Sequence, residues 1–243
     1  MSELWGVVPA GGSGRRMQIA RPKQYLNIHG KPVLEHTLAR LMAVQALSGI
    51  VVAVSPTDPE WEAFHAHLRR TWPESWLGRL HTVRGGAERV HSVYNALTHL
   101  RKLCPESTRV MVHDAVRPCV RISDVHRLIE AVGEQADGGL LAMPVADTLK
   151  RAAADGRIDE TVDRTALWRA CTPQLFPLGT LWRALDEALK AGRLVTDEAS
   201  AMEMAGFHPL LVPCQADNLK LTHPQDLSLI ECLLPHTEET PCA

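Results

Sequence analysis

The chain has 243 residues, with 26 basic side chains against 28 acidic ones and 45% hydrophobic residues. That suits one domain able to bury roughly 70% of its unfolded surface, and basic residues scattered along the chain, not gathered in a stripe, argue against a nucleic-acid partner. The longest purely aliphatic run, Ile50 to Val54, is far short of the ~20 residues needed to cross a bilayer, so no membrane role is expected.

Six cysteines without a C-x-x-C pair, behind a start with no signal-sequence pattern, predict free thiols in a reducing cytoplasm. A single domain over 1–243 is expected, with no second domain fused to it, and with a loose tail at about 235–243.

Short β-branched runs alternate with segments of helical period, which predicts an α/β fold built on a mostly parallel twisted sheet with helices on both faces. The first strand is Trp5 to Pro9, and it runs into "VVPAGGSGRRM", Val7 to Met17, followed by "RPKQYL". The next strand is Ile50 to Val54; Thr57, Asp58 and Pro59 then announce a helix. A strand at Leu80 to Val83 leads through "GGAERVHSV" into a helix over Glu88 to Leu103, with Val90, Val93, Tyr94, Leu97 and Leu100 on one face.

A strand at Arg109 to His113 ends in "VMVHDAVRP", and Ser123 with Asp124 opens a helix reaching Gln135. After the strand Leu140 to Val145, the stretch Asp147 to Thr172 breaks the rhythm: it has a hairpin-like centre at Asp155-Gly156 and little to bury. It reads as an excursion from the sheet that packs on a second copy of the chain. Thr196, Asp197 and Glu198 start another helix, Leu210 to Pro213 is the last strand, and "THPQDL" with Pro224 in the first turn opens the last helix.

Gly11, Gly12 and Gly14 let backbone N–H groups approach a ligand closely, as in phosphate-binding loops. The P-loop pattern is absent, and the dinucleotide fingerprint fails because Met17 stands where its last glycine belongs. Arg15, Arg16, Arg21 and Lys23 would repel one another on a bare surface and make sense around a triphosphate.

Asp114, at a strand's carboxyl end, is placed either to hold Mg²⁺ or to cap the following turn. Gly86 and Ser92 would line a nucleobase slot or merely connect strand to helix. Arg164 and Lys220 are cations that read as surface charges when taken alone. His65 and His67 lie two apart on a predicted helix, no H-E-x-x-H or G-x-S-x-G motif occurs, and hydrolases of those types are disfavoured.

In order along the chain, "PAGGSGRRM", "PKQYL", "HDAVRP", "DTLKR", "TVDR", "TPQLF", "TDEAS" and "DNLKLT" resemble the 2-C-methyl-D-erythritol 4-phosphate cytidylyltransferases. The resemblance implies a Rossmann-like nucleotidyltransferase fold with a projecting β-arm at about 147–170, CTP and methylerythritol phosphate as substrates, Mg²⁺ as cofactor, and a homodimer. By position, Arg16, Lys23 and Lys220 match the catalytic cations. Ala10, Gly11, Gly12, Gly14, Gly86, Ser92, Asp114 and Ala115 match the nucleotide site, with Asp114 also at the metal.

In the family the neighbouring subunit's arm completes the acceptor pocket; Thr148 and Arg164 match those arm residues, and Thr172 and Thr196 match pocket residues of the main domain. Ala87 stands where many relatives have aspartate, Val116 where a small residue is usual, and Gly11 where many read alanine. A Gly-Gly pair at Gly11 also occurs in the related ribitol 5-phosphate cytidylyltransferases, the alternative acceptor chemistry. A non-catalytic nucleotide-binding module is disfavoured because Arg16, Lys23, Asp114, Arg164 and Lys220 are all present.

Overall fold

The structure is a computed structural model that describes residues 3–11 and 21–237. In chain order, β1 (Leu4–Pro9) is followed by a 3₁₀ turn at Lys23–Tyr25, β2 (Asn27–Ile28), β3 (Lys31–Pro32), α1 (Val33–Met42), β4 (Leu47–Val54), α2 (Trp61–Thr71) and α3 (Glu74–Leu77). Then come β5 (Leu80–Arg84), α4 (Arg89–Leu100), β6 (Arg109–Val112), α5 (Ile122–Val132), β7 (Gly139–Pro144), β8 (Leu149–Ala152) and β9 (Ile158–Val162). The rest is β10 (Trp168–Pro177), α6 (Leu178–Lys190), α7 (Glu198–Met204), β11 (Leu210–Pro213), α8 (Pro224–Leu233) and a 3₁₀ turn at Leu234–Thr237.

Among the described residues the main sheet has seven strands in the order β11-β7-β10-β6-β1-β4-β5. All neighbours are parallel except around β10, which runs antiparallel to both β6 and β7. Successive strand side chains point to opposite faces, so a strand buried on both sides feeds two layers. Ile50, Val52 and Val54 of β4 enter a layer with Leu34, Leu38 and Leu41 of α1 and Leu68 of α2. Val51 and Ala53 enter the other, with Val93, Leu97 and Leu100 of α4 and Leu181 and Leu185 of α6. A third, smaller cluster, with Ile28, Val116, Leu221 and Ile230, seats α8 and the segment before it against the loop after β6.

Every predicted strand is present, with no end moved by more than three residues and Leu210–Pro213 unchanged. The short elements β2, β3 and α3 went unpredicted, and so did three longer ones, α1, α6 and β10. The helix expected to open at Ser123 begins at Ile122, with Arg121 at its N-cap. Asp124 instead lies buried in the first turn, where it pairs with Arg127 at 2.7 Å and accepts the Gln215 N–H at 2.9 Å. At α7 the expectation holds: Asp197 accepts the Ser200 N–H at 2.9 Å, and Ser200 Oγ accepts the Asp197 N–H at 3.2 Å, a reciprocal cap.

The excursion is shorter than expected. It is a hairpin of β8 and β9 closed by a turn in which Gly156 takes φ 82°, and from Trp168 the chain has rejoined the sheet opposite Pro144. Thr172 therefore belongs to a sheet strand and not to the arm. The arm is exposed, with Ile158 67% accessible. Of the tail expected at about 235–243, residues 238–243 lie outside the described residues; Thr237 is buried, and its carbonyl accepts from Arg40 Nη1 at 2.8 Å. No described helix is long and apolar enough to cross a membrane.

Candidate active site

The carboxyl ends of β1, β4, β5 and β6 open into one cavity of about 860 Å³, where ligands bind in sheets of this kind. Ala10 and Gly11 enter it from β1, Gly86 and Ser92 from the β5–α4 connection, and Asp114 and Ala115 from β6; Lys23 and Lys220 border it. A methyl group on Gly11 would lie 3.4 Å from Ser92 Oγ and 3.5 Å from the Ser55 nitrogen, so the neighbouring loops pack close here. One on Gly86 would meet His91 Cβ at 2.2 Å, so this position admits only glycine without a shift of backbone.

The β5–α4 loop is held from within. Ser92 Oγ accepts the Gly86 N–H at 3.1 Å and donates to the Glu88 carbonyl at 3.2 Å. The Ser92 hydroxyl expected to line a nucleobase slot thus shapes the loop that lines the cavity, with its proton already committed. Gln24, buried on the 3₁₀ turn, donates to the Ala10 carbonyl at 3.0 Å and fixes the glycine loop's first residue.

Asp114 is the electrostatic centre. Its Oδ1 accepts from Arg89 Nε at 3.0 Å, and its Oδ2 lies 2.9 Å from Lys220 Nζ and 3.3 Å from Arg117 Nε. Burial alone would raise its pKa, but Arg89, Lys220 and Arg117 outweigh that and hold the carboxyl well below the usual carboxylate range. Arg117 also donates to the Asn218 carbonyl at 2.7 Å, tying Asp114 to the segment that carries Lys220.

The Asp114 backbone is fixed by a chain of hydrogen bonds. His113 Nε2 faces the Arg117 carbonyl at 3.1 Å; a carbonyl only accepts, so this nitrogen carries the proton and Nδ1 is the acceptor. The Thr172 hydroxyl therefore donates to Nδ1 at 3.0 Å and accepts the Asp114 N–H at 3.1 Å. Burial favours the neutral imidazole this pattern requires and pushes the His113 pKa down to about 4.

Lys23, Lys220, Ala10, Gly11, Gly86, Ser92, Asp114 and Ala115 are thus gathered around one cavity, and Thr172 supports it from β10. Thr148, Arg164 and Thr196 do not line it; all three are exposed, and Arg164 Nη1 bonds the Ala146 carbonyl at the base of the arm. Arg16, Gly12 and Gly14 lie outside the described residues. The sequence reading overlooked Arg89, although it stands inside the quoted "GGAERVHSV". A cation in the first turn of a helix opposes the helix dipole, and that conflict was the available signal.

Among the described residues no cluster of three or more His, Cys, Asp or Glu side chains forms a metal cage. Asp114 is a hard oxygen donor kept ionised, which suits a magnesium ion that arrives with triphosphate oxygens and water as its remaining ligands.

The family model of 2-C-methyl-D-erythritol 4-phosphate cytidylyltransferase matches residues 4–236. A protein of that name from Chromohalobacter salexigens is 48% identical, covering 96% of this chain and 90% of its own. One of the same name from Pseudomonas aeruginosa is 46% identical over 96% and 97% of the two chains. A crystal structure of 4-diphosphocytidyl-2C-methyl-D-erythritol synthase superposes with a TM-score of 0.81 at 40% identity, covering 96% and 99%. From the glycine loop to Lys220, then, the residues that build this cavity stand in a chain that belongs to the 2-C-methyl-D-erythritol 4-phosphate cytidylyltransferase family.

Proposed function

We propose that the protein transfers the cytidylyl group of CTP to the phosphate of 2-C-methyl-D-erythritol 4-phosphate, giving 4-diphosphocytidyl-2-C-methyl-D-erythritol and pyrophosphate. The observation that carries this is the meeting of Lys23, Lys220 and an ionised Asp114 at the carboxyl ends of the parallel strands, in a chain of this family. An oxygen of the acceptor phosphate attacks the α-phosphorus in line; a new P–O bond forms as the bond to the pyrophosphate oxygen breaks. No covalent enzyme intermediate is needed. The demand is that two anions be held in line while negative charge on the equatorial oxygens is neutralised.

Lys23 and Lys220 supply cations at the border of the cavity, and the Asp114 network keeps Lys220 in place. Arg16 is assigned to the same task from its position in the family motif. Asp114 would hold Mg²⁺ together with the triphosphate, and the ion would add positive charge against the phosphates.

The arm is assigned to a homodimer, in which Thr148 and Arg164 of one protomer complete the acceptor pocket of its partner, with Thr196 on the main-domain side. The exposure of Ile158, Leu167 and Trp168 on and beside the arm supports this. The free thiols Cys104, Cys119, Cys171, Cys214 and Cys232 support a reducing, cytoplasmic setting.

Pyrophosphate release from CTP with Mg²⁺, measured with methylerythritol phosphate and with ribitol 5-phosphate in separate reactions, tests the reading. Turnover with the first is expected, and turnover with ribitol 5-phosphate alone would reverse the acceptor assignment. Sedimentation at micromolar concentration should give a dimer; a monomer would remove the arm's assigned role.

A further inference from the structure

Arg89 occupies the first turn of α4, where the exposed N–H groups and the helix dipole disfavour a cation. It is kept there by two carboxylates from distant parts of the chain. Its Nη1 and Nη2 donate to Glu198 Oε1 and Oε2 at 2.7 and 3.0 Å, a two-point grip, while its Nε donates to Asp114 Oδ1 at 3.0 Å. Glu198 is 1% exposed and sits in the first turn of α7, one residue after the Asp197 cap and two after Thr196. Gln174 locks that end of α7 to the sheet, donating to Asp197 Oδ2 and accepting the Ala199 N–H, each at 2.9 Å.

We propose that Glu198, acting through Arg89, is a positioning residue for the cytidylyl transfer: the pair fixes the Asp114 carboxylate so that Oδ1 is occupied and Oδ2 is presented to Lys220. The inference rests on the reading of the cavity as the transfer site. With both guanidinium Nη atoms held by Glu198, Arg89 can offer Asp114 only its Nε, and so cannot wrap the carboxylate in a two-point pair of its own. Neutralising Glu198 releases the fork. Arg89 then competes with Lys220 for Asp114, and Lys220 loses the contact that sets its place beside the reacting phosphates.

Because Glu198 and Thr196 share one rigid helix start, the pair also joins the nucleotide side of the site to the side assigned to the acceptor. Nothing in this arrangement requires Glu198 to touch either substrate. Its effect should therefore appear in turnover and not in nucleotide affinity.

The test uses the full-length protein and its Glu198→Gln, Glu198→Asp and Arg89→Lys variants. Glu198→Gln should lower kcat by about 10–100-fold while the KM for CTP stays within about 3-fold. Glu198→Asp should recover part of the loss, and Arg89→Lys, which cannot span both carboxylates, should not. Unchanged kcat in Glu198→Gln, a loss confined to KM, or a melting shift with full turnover in the folded fraction would overturn the proposal.

A spectroscopic readout separates this from the reaction itself. In the nitrogen-15 spectrum the Arg89 Nη–H groups, which bond Glu198, should give a slowly exchanging signal in the wild type that is lost in Glu198→Gln. Survival of that signal would sink the clamp even if turnover fell. An inactive wild type with the signal behaving as expected would sink the assigned reaction and leave the clamp standing.

Discussion

Lys23 Nζ donates to the Leu221 carbonyl at 2.7 Å, so a lysine on the turn that follows the glycine loop is bonded to the residue next to Lys220. The two lysines assigned to the reacting phosphates are therefore held by one short stretch of backbone, although 198 positions separate the bonded partners. Lys23→Ala should leave CTP affinity within a modest factor and reduce kcat by about 100-fold or more, the pattern of a contact made in the transition state. Steady-state kinetics beside calorimetric CTP titration will show it; equal losses in both would place Lys23 in ground-state binding instead.

Asp114→Asn keeps the shape of the side chain and leaves Arg89, Arg117 and Lys220 around a neutral amide. Breaking such a network while its cations stay in place is expected to cost about 2–4 kcal/mol in urea denaturation. The native carboxyl titrates well below its ordinary 3.8, so the stability it adds is complete above that value and is lost only as pH falls further. A rate loss between pH 5 and 7 that persists in Asp114→Asn must come from another group.

His113 gives a dependence at milder pH. Its pKa falls from the ordinary 6.5 to about 4 on folding, so between those values the unfolded chain binds the extra proton and stability rises with pH. The contribution is complete above 6.5 and lost by about 4, roughly 3 kcal/mol over the window. Denaturation midpoints measured from pH 4 to 7 should fall on the acid side, and His113→Gln should flatten that slope. An equally steep slope in the variant would assign it elsewhere.

Two of the glycines that line the cavity should behave differently. Gly11→Ala places a methyl group at ordinary contact, 3.4 Å from Ser92 Oγ, and turnover with methylerythritol phosphate should stay within about 3-fold of wild type. Gly86→Ala drives its methyl into His91 Cβ at 2.2 Å, must displace the α4 start that carries Arg89, and should cost both melting temperature and activity. Comparing melting curves and kcat for the pair decides it.

How much of this was legible in sequence depended on what announces each element. The strands carried β-branched runs, and α7 carried an Asp cap that the structure shows bonded on both sides. By contrast, α1 and α6 follow Pro32 and Pro177, whose side chains make no cap hydrogen bond, so no start signal marks them. Strand β10 was hidden by Pro173, a residue that argues against an interior strand; it is accommodated where the pairing with β7 shifts between Ala170 and Gln174. Lys23, Asp114 and Lys220 could be named from motifs, but not the web that joins them: the bonds among Arg89, Glu198, Thr172 and Asn218 cross between elements far apart in the chain, and no local pattern encodes them.

The antiparallel strand β10 also sets the order in which this protein can be built on the ribosome. Strands β1, β4, β5 and β6 and their covering helices α1, α2 and α4 are complete once Val112 has emerged, and they can pair as a parallel four-stranded unit. The outer edge of β6 then stands open until β10 arrives some 60 residues later, roughly 3–12 s at usual elongation rates. An unpaired edge of Val110, Met111 and Val112 is a template for pairing with another nascent chain. That interval, more than the finished molecule, is where expression at high ribosome density would lose protein to aggregation.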